Sequence, residues 1–416
     1  MESLEFLMVT THYPPFSMGG DATMVDYLSR ELVSKGHEVH VLHCPSVVKA
    51  LRGTDAPRTS VLSEPGPVLH SFAMGLGRAG VVANLSTGFE GKAERVLSDL
   101  VEKIRPDVVH WHNTKGFLPR PRSFPRAVTL YTAHDYFLVC PRSNLTRPDR
   151  SFCQQPHLCA MCTMRWRKPP QLWRLGSRRV IRPSREVRVI CPTEFMAKRL
   201  RADGLQVHSV LDNFVPDLAG TRSSQDVRKD YIAFVGMVEP HKGPSTLLEA
   251  FSRSREKQGF DLFIVGEGSL RESLAKRVHE LSLTDRVRVT GYVPRDEMIQ
   301  IMVGSTSIVV PSEWPENASL VVRESLSLGV PLITSDQGAL PESIGEDSGS
   351  SVFRAGDADE LAERLQSLWA SRYEQGNRRR RARESYEKRY SPDIHMARYL
   401  EIIDEERAEK AAVRNS

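Results

Sequence analysis

Residues 314–334 read Trp-Pro-Glu-Asn-Ala-Ser-Leu-Val-Val-Arg-Glu-Ser-Leu-Ser-Leu-Gly-Val-Pro-Leu-Ile-Thr. The part from Glu316 to about residue 328 predicts a helix, and Pro331 begins a short apolar strand. Glu316 lies at the entrance of this helix and Glu324 lies inside it, eight residues further on. Eight residues of helix span ~12 Å, about the distance from the ribose of a nucleotide to a sugar beyond its diphosphate. A helix followed by a buried strand indicates an α/β fold.

The residues between the two glutamates suit a phosphate group. Asn317, Ala318, Ser319 and Leu320 occupy the first turn of the predicted helix. The N–H groups of a first turn have no partner within the helix and carry the positive end of its dipole, so they attract anions. One carboxylate for ribose hydroxyls, a second near a donor sugar and a helix end for the diphosphate together make a nucleotide-sugar site.

The order of the motifs is more specific than the carboxylates alone. The pair of glutamates is followed by Gly329 and Pro331, then by the strand, and then by Gly-Ala-Leu-Pro-Glu at 338–342. This string resembles the C-terminal half of the retaining glycosyltransferases of the GT-B fold, family 4. The resemblance implies an α/β protein with two doubly wound, Rossmann-like domains that face each other across a cleft. In that family the C-terminal helix crosses back to the first domain.

Alternating strands and helices along the chain indicate two successive doubly wound domains. The first series begins with strand 4–10, the second begins with strand 231–235, and the polar segment 212–230 between them is the predicted linker. Residues 51–91 are rich in Gly, Pro and Ser and predict a loop-rich insertion. The predicted domains are 1–212 on the acceptor side, with a Cys- and Arg-rich insertion at about 140–186; 213–385 for the nucleotide sugar; and 386–416 as the returning helix.

Composition limits the classes of protein to which the chain can belong. A chain of 416 residues with 40% hydrophobic and 26% charged residues has ordinary globular composition and the length for two or three domains. No stretch approaches the roughly 18 uninterrupted apolar residues that span a bilayer. Residues 1–5 contain no basic segment of the signal-peptide type. We therefore predict a cytoplasmic protein.

One basic segment predicts contact with a membrane. Residues 165–188 contain nine Lys and Arg together with Trp166 and Trp173. Such a segment can lie on an anionic membrane surface, with rings towards the acyl boundary and cations at the headgroups. This places the protein at the inner face of the cell membrane. The alternatives are a solvated basic surface or a phosphate-binding face.

The segment Gly-Met-Val-Glu-Pro-His-Lys-Gly at 236–243 follows the first strand of the second domain. The family usually has Gly-Arg here, followed about four residues later by Lys-Gly, and the Arg and Lys hold the diphosphate. Lys242 matches this pattern, whereas Met237 stands where the arginine is expected. His241 and Arg323 are the candidates to replace the missing cation.

His134 and Asp135 follow the strand at 127–131, and active-site residues of α/β sheets lie at such strand ends. The string His-Asp-Tyr-Phe-Leu-Val-Cys-Pro-Arg resembles an element of a subset of the family, in which the histidine donates hydrogen bonds to the donor sugar. Its implied role is orientation and charge stabilisation. The alternative is an ordinary loop histidine with satisfied hydrogen bonds.

The resemblance implies transfer of a hexose, with retention of configuration and without a catalytic metal or other cofactor, from a nucleotide-diphosphate sugar to a saccharide or lipid-linked saccharide acceptor. UDP, GDP and ADP donors all remain open. The implied catalytic residues are His134, Glu316 and Lys242, and the implied donor-binding residues are Gly19, Gly20, Gly236, Gly266, Gly291, Val293, Asn317, Ala318, Ser319, Leu320 and Glu324. Because of Met237, the alternative function is a non-catalytic protein that binds nucleotide sugars or polysaccharides.

Six cysteines form two groups. Cys44 and Cys191 adjoin predicted strands and are expected to be buried thiols. Cys140, Cys153, Cys159 and Cys162 form a cluster with the ligand types of a structural, tetrathiolate zinc site. Free thiols or a redox-active pair are the alternatives, and a cytosolic location disfavours stable disulfides. A zinc-stabilised nucleic-acid binder would need a nucleic-acid motif, and none is recognised, so we expect no nucleic-acid partner.

Overall fold

The computed structural model describes residues 2–16, 19–52, 66–149, 151–154, 159–175, 180–220, 230–254 and 259–415. The chain divides into two compact units. The N-terminal unit comprises Met1–Asn213 together with Met396–Ser416, and the C-terminal unit comprises Phe214–His395. Each unit has its own parallel sheet and its own hydrophobic core.

The N-terminal unit contains a seven-stranded sheet in the order β3-β2-β1-β4-β5-β6-β7, in which every pair of neighbours is parallel. The strands are β1 Glu5–Val9, β2 Glu38–His43, β3 Val68–Ser71, β4 Val108–Trp111, β5 Val128–Thr132, β6 Val187–Cys191 and β7 Ser209–Val210. The helices are α1 Gly20–Ser34, α2 Pro45–Arg52, α3 Gly77–Thr87, α4 Gly91–Ile104, α5 Cys159–Arg165 and α6 Glu194–Ala202. The strand order reverses between β1 and β4, which makes their carboxyl ends the topological switch point.

The C-terminal unit contains a six-stranded parallel sheet in the order β10-β9-β8-β11-β12-β13. Its strands are β8 Tyr231–Val235, β9 Asp261–Val265, β10 Val287–Gly291, β11 Ser307–Val310, β12 Leu332–Ser335 and β13 Ser351–Phe353. Its helices are α7 Pro244–Ser254, α8 Arg271–Glu280, α9 Arg295–Gly304, α10 Leu320–Ser327, α11 Leu340–Ile344, α12 Ala358–Ala370 and α13 Gln375–Arg389. Here the order reverses between β8 and β11.

The last helix, α14 Pro392–Asn415, begins in the C-terminal unit, and from Met396 onwards its residues belong to the N-terminal unit. Its Tyr399 stacks against Phe6 of β1 with 6.3 Å between ring centroids. The predicted returning helix is thus confirmed, although it does not run unbroken through residues 386–406. A break separates α13 from α14 because Pro392 cannot donate a backbone hydrogen bond to the preceding turn.

The prediction of a loop-rich insertion at 51–91 is wrong for its described part. Strand β3, helix α3 and the start of α4 lie there, and residues 53–65 lie outside the described part. Helix α3 is held by tertiary contacts: Val81 is buried, and the Asn84 amide donates to the carbonyl oxygens of Phe89 and Phe117. Such long-range contacts leave no signal in local composition.

Candidate functional site

Lys242 and Glu316 form a buried ion pair at the switch point of the C-terminal sheet. Lys242 Nζ lies 2.5 Å from Glu316 Oε1, and Ser312 Oγ donates to the same oxygen over 2.5 Å. Only 7% of Glu316 is exposed. Burial by itself raises the pKa of this carboxyl, but the charge and hydrogen bond of Lys242 outweigh burial and lower the pKa below its ordinary value. Glu316 is therefore ionised at neutral pH.

The two loops that carry this pair touch because of one glycine. The loop after β8 ends at Gly243, whose φ is +69°, and a Cβ there would lie 1.9 Å from the carbonyl oxygen of Pro311 in the loop after β11. A hydrogen bond from Glu313 N to His241 O, 2.9 Å long, also joins the loops. Any side chain at 243 would push the loops apart, and with them Lys242 and Glu316.

Helix α10 begins at Leu320, later than the sequence predicted. Ser319 is its N-cap residue, with extended backbone, and Glu316 lies in the loop before it. Of the predicted phosphate-binding residues 317–320, only Leu320 is therefore helical, and all four side chains are partly exposed. Glu316 and the first turn of α10 both follow β11, and Lys242 reaches Glu316 from the loop after the neighbouring strand β8. A cation and a helix N-terminus therefore lie at the same end of the sheet.

Glu324 lies inside α10 and is 3% exposed. Arg295, the first residue of α9, donates from Nη2 to Glu324 Oε1 over 2.8 Å. The sequence analysis did not identify Arg295. The signal available for it was its position directly after Gly-Tyr-Val-Pro at 291–294, between a strand and a helix.

Three predicted donor-binding glycines follow three neighbouring strands. Gly236 comes after β8, Gly266 after β9, and Gly291 ends β10. Gly236 N donates to Val265 O and Gly266 N donates to Gly291 O, at 3.0 and 2.9 Å. A Cβ on Gly266 would lie 1.8 Å from Gly236 O, so only glycine permits this approach. Val293 follows in the loop before α9 and is half-buried.

Neither candidate replacement for the missing arginine supplies a free cation. Arg323 is 0% exposed, packs 4.8 Å from the centroid of the Tyr390 ring and donates to Ser319 O. Burial, followed by the charge of Lys242, lowers the pKa of His241, so this ring is neutral at pH 7. Met237 is 46% exposed. The expectation that His241 or Arg323 takes over the arginine's role is therefore wrong.

In the N-terminal unit, His134 belongs to a row of three histidines. His110 lies in β4, His112 follows β4 and His134 follows β5. His134 Nε2 lies 2.9 Å from His112 Nδ1, and the ring of His112 packs 4.1 Å from that of His110 between centroids. His110 contacts the hydroxyls of Tyr399 and Thr132, each at 2.8 Å. Burial lowers the pKa of His134 to about 4 and that of His112 well below its ordinary value. Both rings are neutral at physiological pH.

An acidic pair lies beside this row of histidines. The Asn113 amide donates to Asp21 Oδ2 and to Asp135 Oδ2, both over 3.1 Å. Burial raises the pKa of Asp135 to about 6, although Lys115 opposes the rise. Asp21 lies in the first turn of α1, next to Gly19 and Gly20. Asn113 thus links Asp21, which lies beyond β1, to Asp135, which follows β5. Asn113 was not among the predicted residues, although it follows the buried strand β4.

Two consecutive segments of the sequence each match a known family. Residues 18–216 match the family described as Glycosyltransferase Family 4, and residues 221–389 match the family described as Glycosyl transferases group 1. Solved structures with the same two-domain fold cover nearly the whole chain. The chain belongs to the GT-B glycosyltransferases of family 4.

Individual similar proteins agree with this assignment. Glycogen synthase of Mycobacterium tuberculosis is 25% identical over 82% of this chain and 80% of that protein. Sucrose-phosphate synthase of Thermosynechococcus elongatus has a TM-score of 0.69 at 16% identity, covering 98% of this chain and 100% of that one. Anabaena HepE, solved with UDP-glucose, has a TM-score of 0.65 at 15% identity over 97% and 100% of the two chains. The predicted GT-B fold is confirmed.

None of the six cysteines, all of which lie in the described part of the chain, forms a disulfide bond. Cys44 and Cys191 are fully buried, as predicted. The other four, Cys140, Cys153, Cys159 and Cys162, line one cavity of about 460 Å³. Among the described residues, only Glu5, Glu38 and His40 place three ligand atoms within 4.8 Å of one another. Those three residues lie towards the amino ends of β1 and β2, whereas the candidate site residues follow the carboxyl ends of their strands.

Three side chains of the basic segment 165–188 make contacts within the protein. Arg174 is 2% exposed, the Trp173 indole donates to Leu85 O, and Arg188 pairs with Glu406 and Glu409. These three side chains therefore cannot lie on a membrane as the sequence suggested. Residues 176–179 lie outside the described part. None of the described helices combines the length and apolar character needed to span a bilayer.

Proposed function

We propose that this protein is a retaining glycosyltransferase that moves a hexose from a nucleotide-diphosphate sugar to a saccharide acceptor in polysaccharide biosynthesis. The observation that carries the proposal is the buried Lys242–Glu316 ion pair at the switch point of the C-terminal sheet, beside the first turn of α10. Ligands of α/β sheets bind at such switch points. A lysine and a helix N-terminus suit a diphosphate, and the buried carboxylate suits sugar hydroxyls.

In the proposed reaction, Lys242 and the N–H groups at the start of α10 stabilise the negative charge that develops on the leaving diphosphate. Stabilisation of developing charge by fixed donors is commonly the largest catalytic contribution. The acceptor hydroxyl attacks on the face that the diphosphate leaves, and its proton passes to a phosphate oxygen. Glu324 accepts hydrogen bonds from ribose hydroxyls. The neutral His134 donates to or accepts from sugar hydroxyls without forming a covalent bond.

The donor is the first point to test. HepE, which shares the fold, was solved with UDP-glucose, so UDP-sugars lead a panel that also contains GDP- and ADP-sugars. Turnover of each donor is measured with saccharide acceptors, and the anomeric configuration of the product is read by NMR. Retention with one nucleotide class supports the proposal, whereas inversion contradicts it. Tight donor binding without any turnover would instead favour a non-catalytic nucleotide-sugar-binding protein.

A matched pair of variants tests the site. Glu316→Gln preserves shape but removes the charge that pairs with Lys242, and we expect transfer to fall by about 100-fold or more. Glu313→Gln, three residues away in the same loop, changes an exposed carboxylate that accepts from Thr246. We expect that control to retain activity. Equal activity of Glu316→Gln and Glu313→Gln would contradict the proposed site.

We further propose that the acceptor is lipid-linked and that the protein works at the cytoplasmic face of an anionic membrane. The support is the segment 161–175, in which exposed apolar side chains flank exposed basic ones. The apolar members are Met161, Met164, Leu172 and Leu175, and the basic members are Arg165, Arg167 and Lys168. Apolar groups enter the headgroup region while cations attract anionic lipids.

Co-sedimentation with vesicles tests this segment. We expect binding to rise with the fraction of anionic lipid and to weaken with added salt. Replacing Leu172 and Leu175 by Ser should weaken it, whereas Tyr373→Ser, which changes an 80% exposed side chain of the C-terminal unit, should not. Equal binding to neutral vesicles, or an equal effect of both changes, would contradict membrane docking through this segment.

A further inference from the structure

The cavity lined by four cysteines has no part in the proposed sugar transfer. Cys140 lies in the segment that follows His134 and Asp135, Cys153 lies after a short antiparallel bridge, and Cys159 and Cys162 lie in α5. The chain thus brings cysteines from three separate segments to the walls of one cavity of about 460 Å³. We propose that these four cysteines bind one zinc ion as a structural, tetrathiolate site.

Backbone hydrogen bonds and helix α5 fix the positions of the four cysteines in the chain. Cys140 N donates to Tyr136 O over 2.7 Å, and Cys153 N donates to Leu145 O over 2.6 Å. Cys159 and Cys162 are three residues apart in a helix, a spacing that puts both on one face. The backbones of all three segments are therefore positioned before any metal arrives, which reduces the entropy lost on binding.

The sulfur atoms must move closer together to bind one zinc ion. In the described part of the chain no three of these sulfurs lie within 4.8 Å of one another. A tetrahedral zinc site with Zn–S bonds of about 2.3 Å separates its sulfurs by about 3.8 Å. Zinc binding must therefore draw the sulfurs towards the centre of the space they share.

The charges around the cavity match those of the proposed site. Four thiolates and one zinc ion carry a net charge of two negative units, which is costly to bury without counter-charges. Arg142, Arg147 and Arg165 line the same cavity as the four cysteines. Their guanidinium groups supply positive charge beside the proposed cluster.

Arg174 holds the middle of the segment that runs from His134 to Cys140. It is buried and donates to the carbonyl oxygens of Phe137 and Leu138, while Phe137 N donates to Asp135 Oδ1 over 2.7 Å. A zinc ion at Cys140 would fix the end of this segment. The metal would stabilise this segment and take no part in breaking the sugar bond.

A tetrathiolate set suits either zinc or an iron–sulfur cluster. We commit to zinc because sugar transfer includes no electron-transfer step for a redox centre to serve. Structural zinc sites fasten loops in place through the folding energy that metal binding supplies. The proposal is independent of the donor and the acceptor, and a metal measurement tests it even if the proposed reaction is wrong.

The test is elemental analysis of the full chain purified without chelator. We expect about one zinc per chain in the unaltered protein, and loss of zinc when Cys159 and Cys162 are both changed to Ser. The matched control changes Cys44 and Cys191 to Ser, which removes two thiols of the same unit outside the cavity and should leave the zinc in place. Cobalt(II) added to metal-free protein should give the absorption of tetrahedral thiolate coordination.

A second variant guards against misfolding of the first. Cys162→His keeps a set of three thiolates and one imidazole, which zinc also accepts, so we expect this protein to retain zinc. Unaltered protein that contains no metal, contains iron, or carries a disulfide between cluster cysteines would overturn the proposal. Equal zinc loss in the cluster variant and in the Cys44 and Cys191 control would overturn it as well.

Discussion

Lys242 and Glu316 form a 2.5 Å ion pair although 74 residues separate them in the chain. The two residues meet because β8 and β11 are neighbours in the sheet, and each residue lies in the loop that follows one of these strands. Glu316 is buried and also accepts from Ser312. The carboxylate therefore depends on Lys242 for its charge, which makes the pair testable through the pH dependence of stability.

Replacing Lys242 by Met should destabilise the protein most at neutral pH. In the unaltered protein the folded-state pKa of Glu316 is lowered, so the pair's contribution to unfolding free energy is fully present above the ordinary pKa of 4.5 and is lost as pH falls through the folded value. Without Lys242, burial raises the pKa of Glu316. Keeping its carboxylate ionised in the folded protein then costs free energy. We expect a loss of about 3 kcal/mol at pH 7 that shrinks below pH 4.5.

Urea unfolding at pH 7 and below pH 4.5 measures this difference in the free energy of unfolding. Lys276→Met serves as the control, because the Lys276 side chain is 80% exposed and its pair with Glu280 is loose. We expect the control to change stability by less than about 0.5 kcal/mol at either pH. A pH-independent loss in Lys242→Met would show that the lysine acts by packing and not by charge.

Glu324→Ala should weaken nucleotide binding more than it slows turnover. The change removes the proposed ribose acceptor and leaves Arg295 without a 2.8 Å partner. We expect the Kd for free nucleotide diphosphate to rise about tenfold, equivalent to about 1.4 kcal/mol, with a smaller change in kcat at saturating donor. Calorimetry and steady-state kinetics separate the two effects. An unchanged Kd would refute the ribose assignment, and Glu272→Ala on the exposed side of α8 is the control.

Met237→Arg should strengthen the site. This position follows β8, is 46% exposed and lacks the cation that the family usually has there, and neither His241 nor Arg323 replaces it. A guanidinium added here would attract the donor diphosphate, and we expect kcat/KM to rise about tenfold. Met237→Gln is the matched control, because it adds polarity without charge. A rise in both variants would attribute the effect to polarity, and a fall in Met237→Arg alone would mean that the site cannot accept the cation.

His112→Gln should slow catalysis by acting on His134. His112 Nδ1 lies 2.9 Å from His134 Nε2 and orients that ring without lying in the loop that carries it. We expect kcat to fall about tenfold, equivalent to about 1.4 kcal/mol of activation free energy, with little change in the Kd for free nucleotide. His112→Asn should be less impaired, because the asparagine amide lies where histidine carries Nδ1, the atom that contacts His134. Unchanged kcat in both variants would show that His134 needs no orienting partner.

The sequence alone determined the class of the fold and the identity of several candidate site residues. Strands such as β1 and β8 read as continuous apolar runs because a parallel sheet is covered on both faces, and Glu316, Glu324, Lys242 and His134 were recognisable from local motifs. Local signals of this kind depend only on periodicity and on residues near strand ends. They can therefore be recognised without knowing how the rest of the chain folds.

Tertiary structure alone decided the partners of those residues. The pairing of Lys242 with Glu316, of Arg295 with Glu324 and of His112 with His134 follows from which strands are neighbours, and no local pattern records strand order. The same reason explains the wrong predictions. Arg174, part of a basic segment by sequence, is buried because distant carbonyl oxygens accept its hydrogen bonds, and a buried cation is stable only where such partners are brought to it.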